Sequence, residues 1–309
     1  MRRRAFLLSM ATCPLAVATV GCATFGPTRK PTGTVAAPEL IEKAPNPADV
    51  VAFLNNNAAR VNSIESNDVD IDLKVGNQPF GVSGHLHCQK PRNFRLVAKT
   101  VGKEVADIGS NSREFWSWNG DEKVLYYCSY DALAQGNVAL PFPVQPEWVL
   151  EVLGMATLNP AGNFSVPEFN ARQPGRTFDL VERTTGPGGQ PVTKVTVFNN
   201  WNATGRTPQV AGHRLYDSQR RLLCEARILS VHPDQRAPHE IELLFPAVGP
   251  NPAMTMKLKL DKLRVNGVEA DVARNPKLYQ RPSRSPAYDL ARGLPAGPTG
   301  LQRTSGWGR

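Results

Sequence analysis

The sequence predicts a mainly β protein of the α+β type, in which a curved antiparallel sheet holds helices in its concave face. Three observations predict it. Between Gly84 and Tyr130, short apolar runs alternate with turn residues at Lys90–Asn93, Thr100–Lys103, Gly109–Ser112 and Asn119–Glu122, the spacing of strands joined by hairpins. The same rhythm returns between Arg176 and Val265. Two segments, opening at Asn46 and Pro146, carry apolar stripes at helical spacing and need a surface to cover them.

The chain has 309 residues, enough for one large or two modest domains, and a formal charge of +9. The charge is not spread over the fold. Arg2, Arg3 and Arg4 hold part of it. Arg274, Lys277, Arg281, Arg284, Arg292, Arg303 and Arg309, against Asp289, hold the rest. The stretch between is neutral, so a nucleic-acid groove is not expected.

Arg2-Arg3-Arg4, the apolar run Ala5–Val20 and Gly21-Cys22 have the order of a secretory signal, and the run is too short for a membrane span. Thr19-Val20-Gly21-Cys22 resembles the bacterial lipobox, which implies cleavage after residue 21 and lipidation of Cys22. Several acyl chains at one end would anchor the protein stably to a membrane. Arg3-Arg4-Ala5-Phe6-Leu7 also resembles a twin-arginine motif, so two export routes stay open. Residues 22–45, rich in Pro, Thr, Gly and Ala, read as a flexible tether. The expected location is the periplasmic side of the cell envelope, on the outer membrane.

The folded domain is expected over 46–282. Asn46-Pro47-Ala48-Asp49 starts a helix with a capping side chain, a proline in the first turn and an acid near the positive dipole end. Val50, Phe53, Leu54, Ala58, Val61 and Ile64 then form one stripe. From Asn67 to Val75, Val69, Ile71 and Leu73 alternate with Asp68, Asp70, Asp72 and Lys74, giving one dry and one wet face. Val82 and Leu86, then Phe94 and Leu96, continue the dry face. Trp116 and Trp118 point together, and Asn119-Gly120 predicts a tight turn in which both residues tolerate positive φ. Leu140–Pro146 is a stiff apolar connector to the second helix, whose stripe is Trp148, Val149, Val152, Leu153 and Met155. Residues 283–309 lack a core pattern and are expected to be a solvated, disordered basic tail.

Catalytic and metal signals are weak. His85 and His87 share a strand face, but no His or Cys cluster at recognisable spacing completes a site, so no metal and no cofactor are expected. The aspartates lack the glycine and terminal glutamate of a calcium loop. There is no nucleophile elbow or phosphate loop, and Ser117, His213, His232 and His239 read as isolated residues. Cys88, Cys128 and Cys224 permit a disulfide, with Cys88 and Cys128 on neighbouring strands one option.

The order of elements, with Lys90-Pro91, Phe94-Arg95-Leu96, Asp107–Asn111, Phe115-Trp116-Ser117-Trp118 and Val265-Asn266-Gly267-Val268, resembles the LolA/LolB-like superfamily of periplasmic lipoprotein carriers and acceptors. The resemblance implies an unclosed barrel whose helix-plugged hollow accepts acyl chains. It implies a gating role for Lys90, with Arg92 or Arg95 as substitutes. Cys22 suits the anchored acceptor, and Ala139-Leu140-Pro141-Phe142 is the candidate membrane-inserting loop. The residues expected to meet acyl chains are Val82, Leu86, Phe94, Leu96, Trp116, Trp118, Tyr126, Trp148, Val152 and Leu153. The expected partners are acyl chains or lipoproteins, and the membrane through Cys22. The second reading is a non-catalytic envelope scaffold with the same fold and a filled core.

Overall fold

Two antiparallel meanders share one seam. The structure, a computed structural model, describes residues 44–121, 123–135, 138, 146–167, 177–186, 189–199, 209–233, 237–247 and 252–293. The signal, Cys22, nearly all of the tether and the 139–142 loop lie outside them. The first meander is β1 (Ser63–Val75), β2 (Gln78–Gln89), β3 (Asn93–Thr100), β4 (Lys103–Ser110), β5 (Glu114–Asn119) and β6 (Val124–Ser129). The second is β7 (Asn163–Ser165), β8 (Thr177–Thr185), β9 (Pro191–Asn199), β10 (Val210–Asp217), β11 (Leu222–Val231), β12 (Pro238–Phe245) and β13 (Met254–Val265). β13 returns to pair with β1, placing Ile64 opposite Val265 and Val75 opposite Met254. A last strand, β14 (Ala287–Asp289), runs parallel to β6. The result is one 14-stranded sheet with β14 and β7 at its two edges. The edges do not pair with each other, so the barrel is unclosed.

Among the described residues, four α-helices accompany the sheet: α1 (Pro47–Ala58), α2 (Tyr130–Ala134), α3 (Pro146–Val152) and α4 (Val268–Arg274). The main core gathers inward residues of β1 to β3 and β9 to β13 around α3. α1 covers the far end instead, with Val50 and Val51 against Phe178, Leu180 and Phe198, whose two phenyl rings stack at 4.6 Å. On the wet face, Asp70 and Asp72 stand opposite Lys259 and Lys257. Opposite charges in register suit a solvated sheet surface.

Several expectations are corrected. α1 starts as expected, with Asn46 Oδ1 accepting from the Ala48 N–H at 3.0 Å, but it stops at Ala58, and Ile64 belongs to β1. Asn266 causes the exit: its side chain accepts from the Asn62 N–H at 2.7 Å and donates to the Arg60 carbonyl at 2.9 Å. Beyond Asn119, Gly120 does not take positive φ. Lys123 does, at 56°, in a four-residue loop, while a Cβ at Gly120 would sit 3.1 Å from the Val105 Cα. The chain also stays packed past Ser283, to Gly293. The Arg281 guanidinium lies 3.6 Å over the Tyr127 ring, Arg284 lies 3.7 Å over Trp118 and pairs with Glu104, and β14 follows. Residues 275–293 thus strap the outer face of the first meander. Arginines on aromatic rings replace the aliphatic pattern that a core segment would show.

Candidate functional site: the apolar hollow beneath α3

α3 begins at a proline, where the missing N–H costs no hydrogen bond, and ends at Val152, two residues before Gly154, whose φ of +73° favours glycine. Its Val149, Val152 and Leu153 roof a cavity floored by Leu86, Phe94, Leu96, Ile108, Ile241, Leu243, Met256, Leu258 and Leu260. Every lining residue is apolar. The volume is about 30 Å³, room for only about two water molecules. With α3 seated there is no room for an acyl chain. The dry surface runs on beyond the cavity. Leu243, Met256, Leu73 and Phe80 are successive cross-strand neighbours, and Phe80 is 51% exposed. An apolar track therefore leads from under the helix to solvent.

The polar side of α3 is pinned by charge. Glu151, nearly buried, meets Lys194 Nζ on β9 at 2.6 Å and lies 3.9 Å from His213 Nδ1 on β10. Burial pulls the Lys194 ammonium down, but the Glu151 carboxylate outweighs it and holds the lysine charged. Burial pushes His213 below its ordinary range, against the pull of Glu151. At the rim, Arg92 pairs with Glu147 at 3.4 Å and lies 4.3 Å over the Tyr130 ring. From the same turn, Lys90 Nζ donates to the Ala58 carbonyl at 2.6 Å, at the end of α1. One basic turn thus holds both helices. A second cavity, of about 400 Å³ and mixed polarity, lies beside α3 and is lined in part by Arg92, Tyr130, Glu147, Gln190 and Lys194.

Of the expected acyl-chain contacts, Leu86, Phe94, Leu96, Val152 and Leu153 line the cavity. Val82 packs on the same core. Trp148 sits edge-on to Phe245 at 6.2 Å and lines the second cavity. Tyr126 belongs to a separate cluster under α2 at the sheet edge. Trp116 and Trp118 are corrected, because they face away from the hollow. Trp116 stands opposite Gly109, which stands opposite Arg95, all on the outer face. Its indole N–H donates to Asp107 at 3.2 Å. Arg95 is on that face too, bound to Asp107 at 2.9 Å and to the Leu278 carbonyl at 2.9 Å, so it holds the strap rather than a helix of the hollow.

Sequence reasoning missed the Glu151–Lys194–His213 group. Its signal was a charge, Glu151, set between Leu150 and Val152 in an apolar stripe. His239 is not isolated either: its ring bridges Ser230 at 3.3 Å and Asp261 at 3.2 Å. Asp261 is shared with Lys259 at 2.6 Å, and none of these residues lines either cavity. Cys88, Cys128 and Cys224 are buried and free. Cys88 on β2 and Cys128 on β6 are separated by β3 to β5, not on neighbouring strands. Burial raises all three thiols, Cys128 to about 11, so none offers a thiolate near neutral pH. Among the described residues, no helix is long and apolar enough to cross a membrane.

No family model matches the sequence, and no curated protein matches it. Among solved structures, the chain is similar to a DUF1329 family protein from Desulfovibrio piger, at 8% identity and a TM-score of 0.49, over 76% of this chain and 98% of the other. A LolA superfamily protein from Nitrosomonas europaea is similar at 10% identity and a TM-score of 0.46, over 72% of this chain and 96% of the other. At such identities the likeness concerns the fold alone. An unclosed antiparallel barrel with an apolar helix in its hollow is the architecture of this chain, the one implied by the resemblance of its sequence to the LolA/LolB-like superfamily.

Proposed function

We propose that the protein is a non-catalytic binding protein of the cell envelope, anchored through a lipidated Cys22, which takes an acyl chain, free or on a lipoprotein, into the hollow as α3 swings out. One observation carries the reading: a wholly apolar cavity lies under a short helix that is held by two ion pairs at its polar side, beside an apolar track to solvent. The exchange is balanced in free energy. Six apolar side chains of α3 and its exit are buried, from Trp148 to Met155, and exposing them costs on the order of 9–18 kcal/mol. Burying a chain of about sixteen methylenes returns roughly 13 kcal/mol. Arg92 in the second cavity then faces the polar end of the ligand. Arg92 is the gate, because it ties the basic turn to α3, while Lys90 holds the same turn to α1.

The scaffold reading is favoured by the small volume of the hollow, which is filled as it stands. The two readings separate on uptake. Full-length protein stripped of lipid in a non-ionic detergent is titrated with a fluorescent fatty acid and weighed by native mass spectrometry. One fatty acid per chain supports the binding reading. A folded protein that takes up none supports the scaffold.

A further inference from the structure

We propose that Glu65, His87 and Asp271 form a binding site for a divalent transition-metal ion of the zinc type, on the outer face of the sheet and separate from the hollow. Glu65 on β1 stands directly opposite His87 on β2, and Arg264 on β13 stands opposite Glu65 on its other side. α4 brings Asp271 to the same place. One ligand atom from each of Glu65, His87 and Asp271 lies within 4.8 Å of the other two.

The arrangement is more than a group of acids. Glu65 is 0% and His87 7% exposed. Glu65 Oε2 and His87 Nδ1 are both buried without a hydrogen-bond partner. Unmade bonds of this kind are costly, and a bound ion is one way to satisfy such atoms. The other carboxylate oxygen is already committed: Glu65 Oε1 accepts from Arg264 and, at 3.1 Å, from Asn67 Nδ2. Arg264 also reaches Asp271 Oδ2 at 2.9 Å. One guanidinium therefore stands against two carboxyl groups.

The donor set names the ion class. One imidazole nitrogen and two carboxylates suit zinc and its first-row neighbours, whereas calcium and magnesium take oxygen alone. Three protein ligands leave a position for water. Asp271 lies in α4, directly before the strap of residues 275–293, so the ion would bolt that segment to β1 and β2.

The test uses the full chain in detergent, stripped with a chelator and titrated with Co²⁺, whose visible absorption reports coordination by protein ligands. The expected result is one Co²⁺ per chain, displaced by an equal amount of Zn²⁺. His87→Gln and Asp271→Asn each weaken Co²⁺ binding by at least about tenfold, while His239→Gln leaves it unchanged. Asp271 is part-exposed, so Asp271→Asn keeps the test valid where His87→Gln fails to fold. No Co²⁺ uptake, unchanged affinity in Asp271→Asn, or an equal loss in His239→Gln overturns the proposal.

Discussion

Replacing Lys194 by Met tests whether the hollow opens by release of α3. The substitution keeps most of the side-chain stem and leaves Glu151 as a carboxylate without its partner. Breaking a fully buried pair costs about 3–5 kcal/mol. Here the Glu151 side chain is 9% and the Lys194 side chain 31% exposed, so solvent screening reduces the expected cost to about 2 kcal/mol. That cost falls on the seated helix. Once α3 leaves, Glu151 is hydrated in both proteins. The ratio of displaced to seated helix therefore rises roughly 30-fold, at about 1.4 kcal/mol per factor of ten. Apparent affinity scales with the fraction of binding-competent protein, so a fluorescent fatty acid should bind roughly 30-fold more tightly to Lys194→Met, while the urea midpoint falls. Adding Glu151→Gln removes the orphaned charge and should return both values toward the parent. A variant that loses stability with unchanged or weaker fatty-acid binding would refute the reasoning, since the hollow would then not be reached by moving α3.

Further outcomes follow from the same geometry. Leu153→Ala should cost about 2–5 kcal/mol in urea unfolding and enlarge the cavity enough for a small apolar gas such as xenon to bind, seen as protection against thermal unfolding. Arg92→Ala removes an ion pair whose side chains are 44% and 34% exposed; stability should change by less than about 1 kcal/mol, read by urea midpoint. His213 is held below its ordinary value by burial, so the unfolded chain binds its proton first as pH falls through about 6.5, and stability should drop from about pH 7.5 to about pH 5.5. His213→Gln should flatten that slope in paired unfolding curves. Gly109→Ala would place a Cβ 2.3 Å from the Trp116 ring and 2.9 Å from the Phe94 carbonyl, costing about 1–3 kcal/mol and shifting tryptophan fluorescence as the ring is displaced.

The meander was legible because its alternation is unbroken where one face is wet: Val69 and Ile71 against Asp70 and Asp72 leave no second choice. Parity became ambiguous where both faces are dry. In Phe115-Trp116-Ser117-Trp118 the aromatic weight falls on Trp116 and Trp118, yet Phe115 faces inward. The tryptophans lie under a strap built from Arg281, Arg284 and β14, which carries no apolar period to announce it. The short elements α2, β7 and α4 escaped for a related reason, since a turn or two of helix or three strand residues hold by tertiary contacts more than by local pattern. The site was half legible. Leu86, Phe94, Leu96, Val152 and Leu153 follow from periodicity. The Glu151–Lys194 and Glu65–His87–Asp271 groups join residues far apart in sequence, which no spacing rule reaches.

The seam between β1 and β13 has a consequence for how the molecule is made. Its two strands, Ser63–Val75 and Met254–Val265, sit at the centre of the sheet but come from opposite ends of the folded chain. During synthesis, β1 has only β2 beside it until almost everything else has been produced. Its other edge, with Val69 and Ile71 on the dry face, stays a free template for any passing strand. Closing so long a loop is entropically slow. A chain cut short anywhere before Met254 would thus keep this edge open, and self-association of such fragments is the expected failure.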